Sequence, residues 1–140
     1  MYTFNQMLDL CWKEALDNTA LAKLYEATSE YGIDRVYTVF RGPNNTTIMV
    51  NCNTNGEMVG PATVDSPWME DEVIHPPIHM EEEHANQLLL DAGWSDDWKQ
   101  VTLRKPLGPT LGQEPLFIYQ YTSGLNIGVG TWSGNVTRLS

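Results

Sequence analysis

The chain is poor in the residues that most often carry chemistry. Its 140 residues hold two cysteines and three histidines, and no apolar run nears the roughly 20 residues a membrane-spanning helix needs. Cys11 and Cys52 cannot build a disulfide framework. The stretch MYTFNQMLDLCWKEAL lacks a basic start followed by an apolar block, so no secretory signal is expected. No lipidation motif is present at either end. The expectation is a cytoplasmic protein with two reduced, buried thiols and no membrane partner. Three N-x-T sequons, at Asn44, Asn45 and Asn135, then read as turn chemistry.

Several motifs are also missing. No phosphate loop, EF-hand loop, zinc knuckle or G-x-S-x-G elbow is found, so no cofactor and no catalytic residue is assigned. Basic residues are scarce, with eight lysines and arginines against eighteen acids and a net charge of −10. Ten of those acids fall between Asp65 and Asp97, a window with no lysine or arginine. The other eight are matched by the eight bases, so the net charge belongs to one segment. Such a segment repels a phosphate backbone, and direct nucleic-acid binding is not expected. It suits a basic protein surface, a cation or plain solubility.

What is present reads as α+β. Thr3 and Gln6 form a capping-box signal, and Phe4, Met7, Leu8, Cys11, Ala15 and Leu16 recur at helical spacing. Asp17-Asn18-Thr19 interrupts, and a second helix is predicted over 19–31, ended by Gly32. Strands follow over 35–40 and 47–52, then an Asn55-Gly56 hairpin and a short strand over 57–59. Residues 60–79 contain four prolines and read as irregular. A helix is predicted over 80–92, stopped by Gly93. Strands follow over 98–103, 116–121, 125–131 and 136–139, with a Pro/Gly-rich loop over 106–115.

The prediction is therefore a single domain. It is a mainly antiparallel sheet of about five to seven strands, with two or three helices packed on it. VYTVFRGPNNTTIMVNCNTNGEMV and FIYQYTSGLNIGVGTWSGNVTRL share an order of strand, turn, strand, tight turn and strand, which suggests a helix-plus-hairpin pseudo-repeat. The segment 65–97 would link the two halves. The last strand leaves an edge through which a second copy can pair.

Three candidate sites emerge. The first is the acidic segment, where Trp68 and Trp94 accompany Glu70, Asp71, Glu72, Glu81, Glu82, Glu83, Asp96 and Asp97. Tryptophan supplies buried area and a cation-binding face, and carboxylates steer a basic partner. The second is HPPIHMEEEH, residues 75–84, which holds His75, His79 and His84. Imidazoles with interleaved acids can ligate a metal and support a metal-dependent hydrolase. Nearby carboxylates would also favour the imidazolium and make a pH sensor. Against the metal, Pro76 and Pro77 prevent one helix from aligning His75 with His79, and three glutamates are what a helix N-terminus favours. The third is the sheet face bearing Gly128 and Gly130, in a set with Gly124 and Gly134. It lacks side-chain bulk and would admit one of the protein's own helices or a small ligand near Tyr119, Tyr121 and Trp132.

The leading expectation is a small acidic, non-enzymatic protein that inhibits a basic, nucleic-acid-processing partner. Anti-defence proteins of phages or mobile elements and immunity proteins work in this way. A metal-binding or hydrolytic domain and a small-ligand-binding domain are the alternatives.

Overall fold

In the computed structural model, the described residues are 1–107 and 114–140. The first helix, α1 (Phe4–Asn18), opens on the expected capping box. The Thr3 hydroxyl accepts from the Gln6 backbone N–H at 3.3 Å, and the Gln6 side-chain oxygen Oε1 accepts from the Thr3 N–H at 2.9 Å. These bonds satisfy two donors that a helix start leaves free. The Thr19 N–H returns to the Ala15 carbonyl, and a turn over 19–22 ends the helix. Asp17-Asn18-Thr19 is therefore a terminus rather than a kink.

The predicted second helix over 19–31 is overturned. That stretch forms β1 (Lys23–Glu30), with Ala27 and Ser29 on the buried face and Thr28 on the other. Its apolar residues are few enough to suit either period, and pairing on both edges decides for a strand. Tyr25 is the extra residue of a bulge, since Leu24 pairs with Phe40 but Glu26 with Val39. This extra residue hides the alternation in the sequence.

Two four-stranded meanders make up the sheet. The first is β1, β2 (Arg35–Arg41), β3 (Thr47–Asn53) and β4 (Met58–Val64). A short segment, β5 (Asp71–Glu72), then precedes α2 (Glu82–Asp91). The second meander is β6 (Gln100–Pro106), β7 (Leu116–Gln120), β8 (Asn126–Gly130) and β9 (Val136–Arg138). The sheet order is β4-β3-β2-β1-β6-β7-β8-β9, antiparallel throughout, with β5 paired to β6. Each half is thus one helix followed by a meander that starts at the sheet centre and runs outward. This is the topology of the suggested pseudo-repeat.

The nine strands of the described residues exceed the expected five to seven. β1 accounts for one of the extra strands and β5 for another. β4 also outruns its predicted end by passing through Gly60 and Pro61 to Val64. It can do so because it is an edge strand, where proline's missing N–H leaves no ladder bond unmade. Within the predicted loop over 106–115, residues 108–113 lie outside the described residues.

Both helices cover one face. α1 lies across β1 to β4 and α2 against β8. Phe4 meets Phe117 edge-on at 5.7 Å between ring centres, and Trp98 meets Tyr119 at 5.0 Å. Phe4, Met7, Leu8, Phe40, Leu103 and Phe117 are fully buried, each worth about 1.5–3 kcal/mol of transfer free energy. Cys11 and Cys52 are buried, free thiols in this core, and burial pushes Cys11 up to about 12. No helix among the described residues is long and apolar enough to cross a membrane.

Candidate functional site

The acidic segment does not form one surface. It is laced onto the sheet where β1 and β6 part. The Thr47 hydroxyl donates to the Ser66 carbonyl at 2.7 Å, and the Ile74 N–H donates to the Leu24 carbonyl at 2.8 Å. Between these points Asp71 turns inward, with its side chain fully buried. Its Oδ1 lies 2.6 Å from Arg104 Nε, outside hydrogen-bond alignment, so the contact is ionic. Arg104 Nη2 also donates to the Glu70 carbonyl at 3.0 Å. The Trp68 indole N–H donates to Asp71 Oδ2 at 2.9 Å, so this half-buried ring supports the segment. Glu26, opposite Arg104 in the β1–β6 register, joins the cluster. Burial, and then the hydrogen bond and charge of Asp71, hold its carboxyl well above the ordinary carboxylate range.

Glu82 is also committed internally. It is buried, and its Oε2 accepts from the Tyr119 hydroxyl at 2.8 Å. Burial raises the Glu82 carboxyl despite that bond, and burial with the Glu82 charge raises the Tyr119 phenol. Trp94 is half-buried against the core. The remaining six carboxylates are exposed. Glu72 sits 3.9 Å from Lys105, and Asp96 accepts from the Tyr31 hydroxyl at 3.3 Å. Glu70, Glu83 and Asp97 complete the exposed set with Glu81.

Glu81 lines a hollow at the surface. A groove of about 550 Å³ runs between the outer side of α1 and residues 76–81. Its helical wall is Asn5, Asp9, Trp12, Lys13, Leu16 and Asp17, and its other wall is Pro76, Pro77, Ile78 and Glu81. Residues 5, 9, 12 and 16 recur at helical spacing, a second stripe beside the one that enters the core. Leu16, expected on the core stripe, is 44% exposed here. Asn5 ties the helical wall to the start of α2. The buried Asn5 amide donates to the Met80 carbonyl at 3.0 Å and accepts from the Glu82 N–H at 2.9 Å. It thereby caps α2 from another helix, since Glu81 at the N-cap position makes no side-chain cap.

The charges in the groove do not balance. Lys13 pairs with Asp17 at 3.0 Å, one turn along α1. Asp9 and Glu81 have no cationic partner among the described residues. Burial raises the Asp9 carboxyl, while burial, Glu83 and Asp9 together raise Glu81. The groove lining thus carries three carboxylates and one ammonium, and the ammonium is paired with Asp17.

The other two candidates look different in three dimensions. His75, His79 and His84 are all exposed, and among the described residues no three His, Cys, Asp or Glu side chains gather to hold a metal ion. No histidine of the described residues joins an ion pair; His79 instead meets the exposed Trp132 edge-on at 6.1 Å. His84, one turn before Leu88, points outward rather than to the core edge. In the glycine set, a helix comes close only to Gly134, where Leu88 of α2 is the neighbour; at Gly128 and Gly130, on the glycine face, the nearest atoms of the described residues are not helical. A side chain at Gly128 would meet Leu139 and Leu116, and one at Gly130 would meet the Glu114 carboxylate and the Ser133 hydroxyl. Glu114 accepts from the Trp132 and Ser133 N–H groups at 2.8 and 2.9 Å, closing the turn after β8. Tyr119 and Tyr121 are buried away from that face.

Sequence reasoning missed the exposed Asp9 and Leu16 and the half-buried Ile78 as groove residues, and it missed that the buried Trp12 lines the same groove. Their signal was the second stripe on α1, with Trp12 and Leu16 one turn apart. No protein-family model, curated protein or solved structure matches the chain.

Proposed function

We propose that this is a non-enzymatic binding protein that docks a basic, apolar-bearing segment of another protein between α1 and residues 76–81. The observation that carries this reading is the pairing of an apolar groove lining with carboxylates that make no ion pair among the described residues. Leu16, Pro76, Pro77 and the half-buried Ile78 offer apolar area beside the buried Trp12, and Asp9 and Glu81 offer charge. A lysine or arginine placed between them relieves their repulsion while its aliphatic stem covers the floor. The exposed Glu70, Glu72, Glu83, Asp96 and Asp97 then act at longer range, steering a basic partner without contacting it. In its narrower form the reading is inhibition, in which occupying the basic segment of a nucleic-acid-processing protein blocks that protein's own ligand. Trp68, Asp71, Glu82 and Trp94 drop out as contacts because the fold already uses them.

Nuclear magnetic resonance of isotope-labelled protein tests this. A lysine- and leucine-containing peptide is expected to shift amides of α1 and of residues 76–81, and 0.5 M salt (a Debye length of about 4 Å) to weaken that binding strongly. An acidic peptide of the same apolar content is expected to leave the spectrum unchanged. Shifts confined to the residues around Asp96, or equal binding of both peptides, would remove the reading.

A further inference from the structure

The groove has a second chamber. A hollow of about 190 Å³ adjoins the first and shares Trp12, Leu16 and Pro76 with it. It continues past the end of α1 between Ala20, Ala22 and Lys23 on one side and Val73, Ile74 and His75 on the other. Its charge has the opposite sign. Lys23 and His75 are the ionisable groups of this chamber, and no carboxylate of the described residues pairs with either. Asp9 and Glu81 mark the other end. The composite groove is therefore dipolar, with an acidic mouth, an apolar middle over Trp12 and Leu16, and a basic end.

We infer that the groove reads charge order, and that its occupant is an extended partner segment carrying a basic residue, apolar residues and then an acidic residue. This rests on the docking reading above and narrows it. The length agrees with an extended chain. Asp9 and Leu16 are seven residues apart on α1, about 10 Å at 1.5 Å per residue. About three extended residues cover that distance. The apolar residues lie over Trp12 and Leu16, the basic side chain reaches Asp9 and Glu81, and the acidic one reaches Lys23. A wholly basic segment meets Lys23 with like charge and forfeits contact there.

The inference runs against what net charge alone predicts. A protein of net charge −10 should prefer the more basic of two peptides. The test is calorimetric titration of the full chain with three end-blocked twelve-residue peptides of equal apolar content. One has a basic and an acidic end, one has two basic ends, and one has two acidic ends. The dipolar peptide is expected to bind about tenfold tighter than the doubly basic one, and Lys23→Glu is expected to reverse that preference. Far-ultraviolet circular dichroism of K23E confirms that it folds, and Lys23→Gln, which only erases the preference, serves as the second variant. If the doubly basic peptide binds as tightly or more tightly, the charge-order inference is overturned while the docking reading survives. If no peptide binds, both are overturned.

Discussion

Two pairs of carboxylates face each other in this molecule, and they have met opposite fates. On the open face of the sheet, Glu26 and Asp71 crowd together, and the chain supplies its own cation, Arg104, at 2.6 Å from Asp71. Beside α1, Asp9 and Glu81 line one groove, and its lysine, Lys13, is paired with Asp17 instead. The first pair is sealed by Trp68 and by the Glu70 carbonyl, and it ties the acidic segment to β6. The second opens onto a groove with an apolar floor. The difference teaches that a concentration of acid is informative only after the internal cations are assigned. The closed pair serves the fold, and the open pair is where an outside charge fits.

This contrast can be broken in order of expected effect. Arg104→Ala strands the buried Asp71 and should destabilise the protein by about 3 kcal/mol in urea unfolding. Lys13→Ala, which breaks the exposed pair with Asp17, should cost less than about 0.5 kcal/mol. Equal losses would erase the distinction between a closed cluster and an open rim. Asn5→Ala removes two buried hydrogen bonds and the cap of α2, and about 2 kcal/mol should be lost. Amide exchange should quicken over residues 80–85 more than elsewhere.

A pH experiment sharpens the comparison further. The Glu26 carboxyl keeps its proton to about 7 in the folded protein, whereas an unfolded glutamate releases it near 4.5. The folded state therefore binds more protons across that window. The contribution of Glu26 is complete below the unfolded value and is lost as pH rises through the folded one. Stability should fall between pH 4.5 and 7 in the native protein, and fall less steeply in Glu26→Gln. Parallel slopes in the two proteins would show that burial and Asp71 do not raise the Glu26 carboxyl. The smallest effect is expected at the open pair. Asp9→Asn should leave stability within about 0.5 kcal/mol of the native value, because no internal partner is lost.

Much of this fold was legible because its signals are local. The Thr3–Gln6 capping box, the Asn55-Gly56 turn, and the stop at Gly93, whose φ is +93°, each depend on a few neighbouring residues. β1 was not legible, because the Tyr25 bulge masks its alternation and its pairing with β6 spans over seventy residues. The pseudo-repeat carried the missing clue. If β2, β3 and β4 correspond to β7, β8 and β9, then β6 calls for a strand just ahead of β2, where residues 19–31 read as helical. The site was less legible still. Asp71 and Glu82 look like solvated acids until the register brings Arg104 and Tyr119 to them. Asp9 and Glu81 lie far apart in sequence, and Asn5 brings their elements together.

The central claim is that Asp9 and Glu81 take their cation from a partner, and one measurement addresses it directly. The affinity of a lysine- and leucine-containing peptide should be compared by calorimetry for the native protein and for D9N/E81Q, with unfolding followed alongside. The account predicts at least about a tenfold loss of affinity with unchanged stability, since about 1.4 kcal/mol of charge complementarity corresponds to tenfold. Unchanged affinity in a folded D9N/E81Q protein would contradict it.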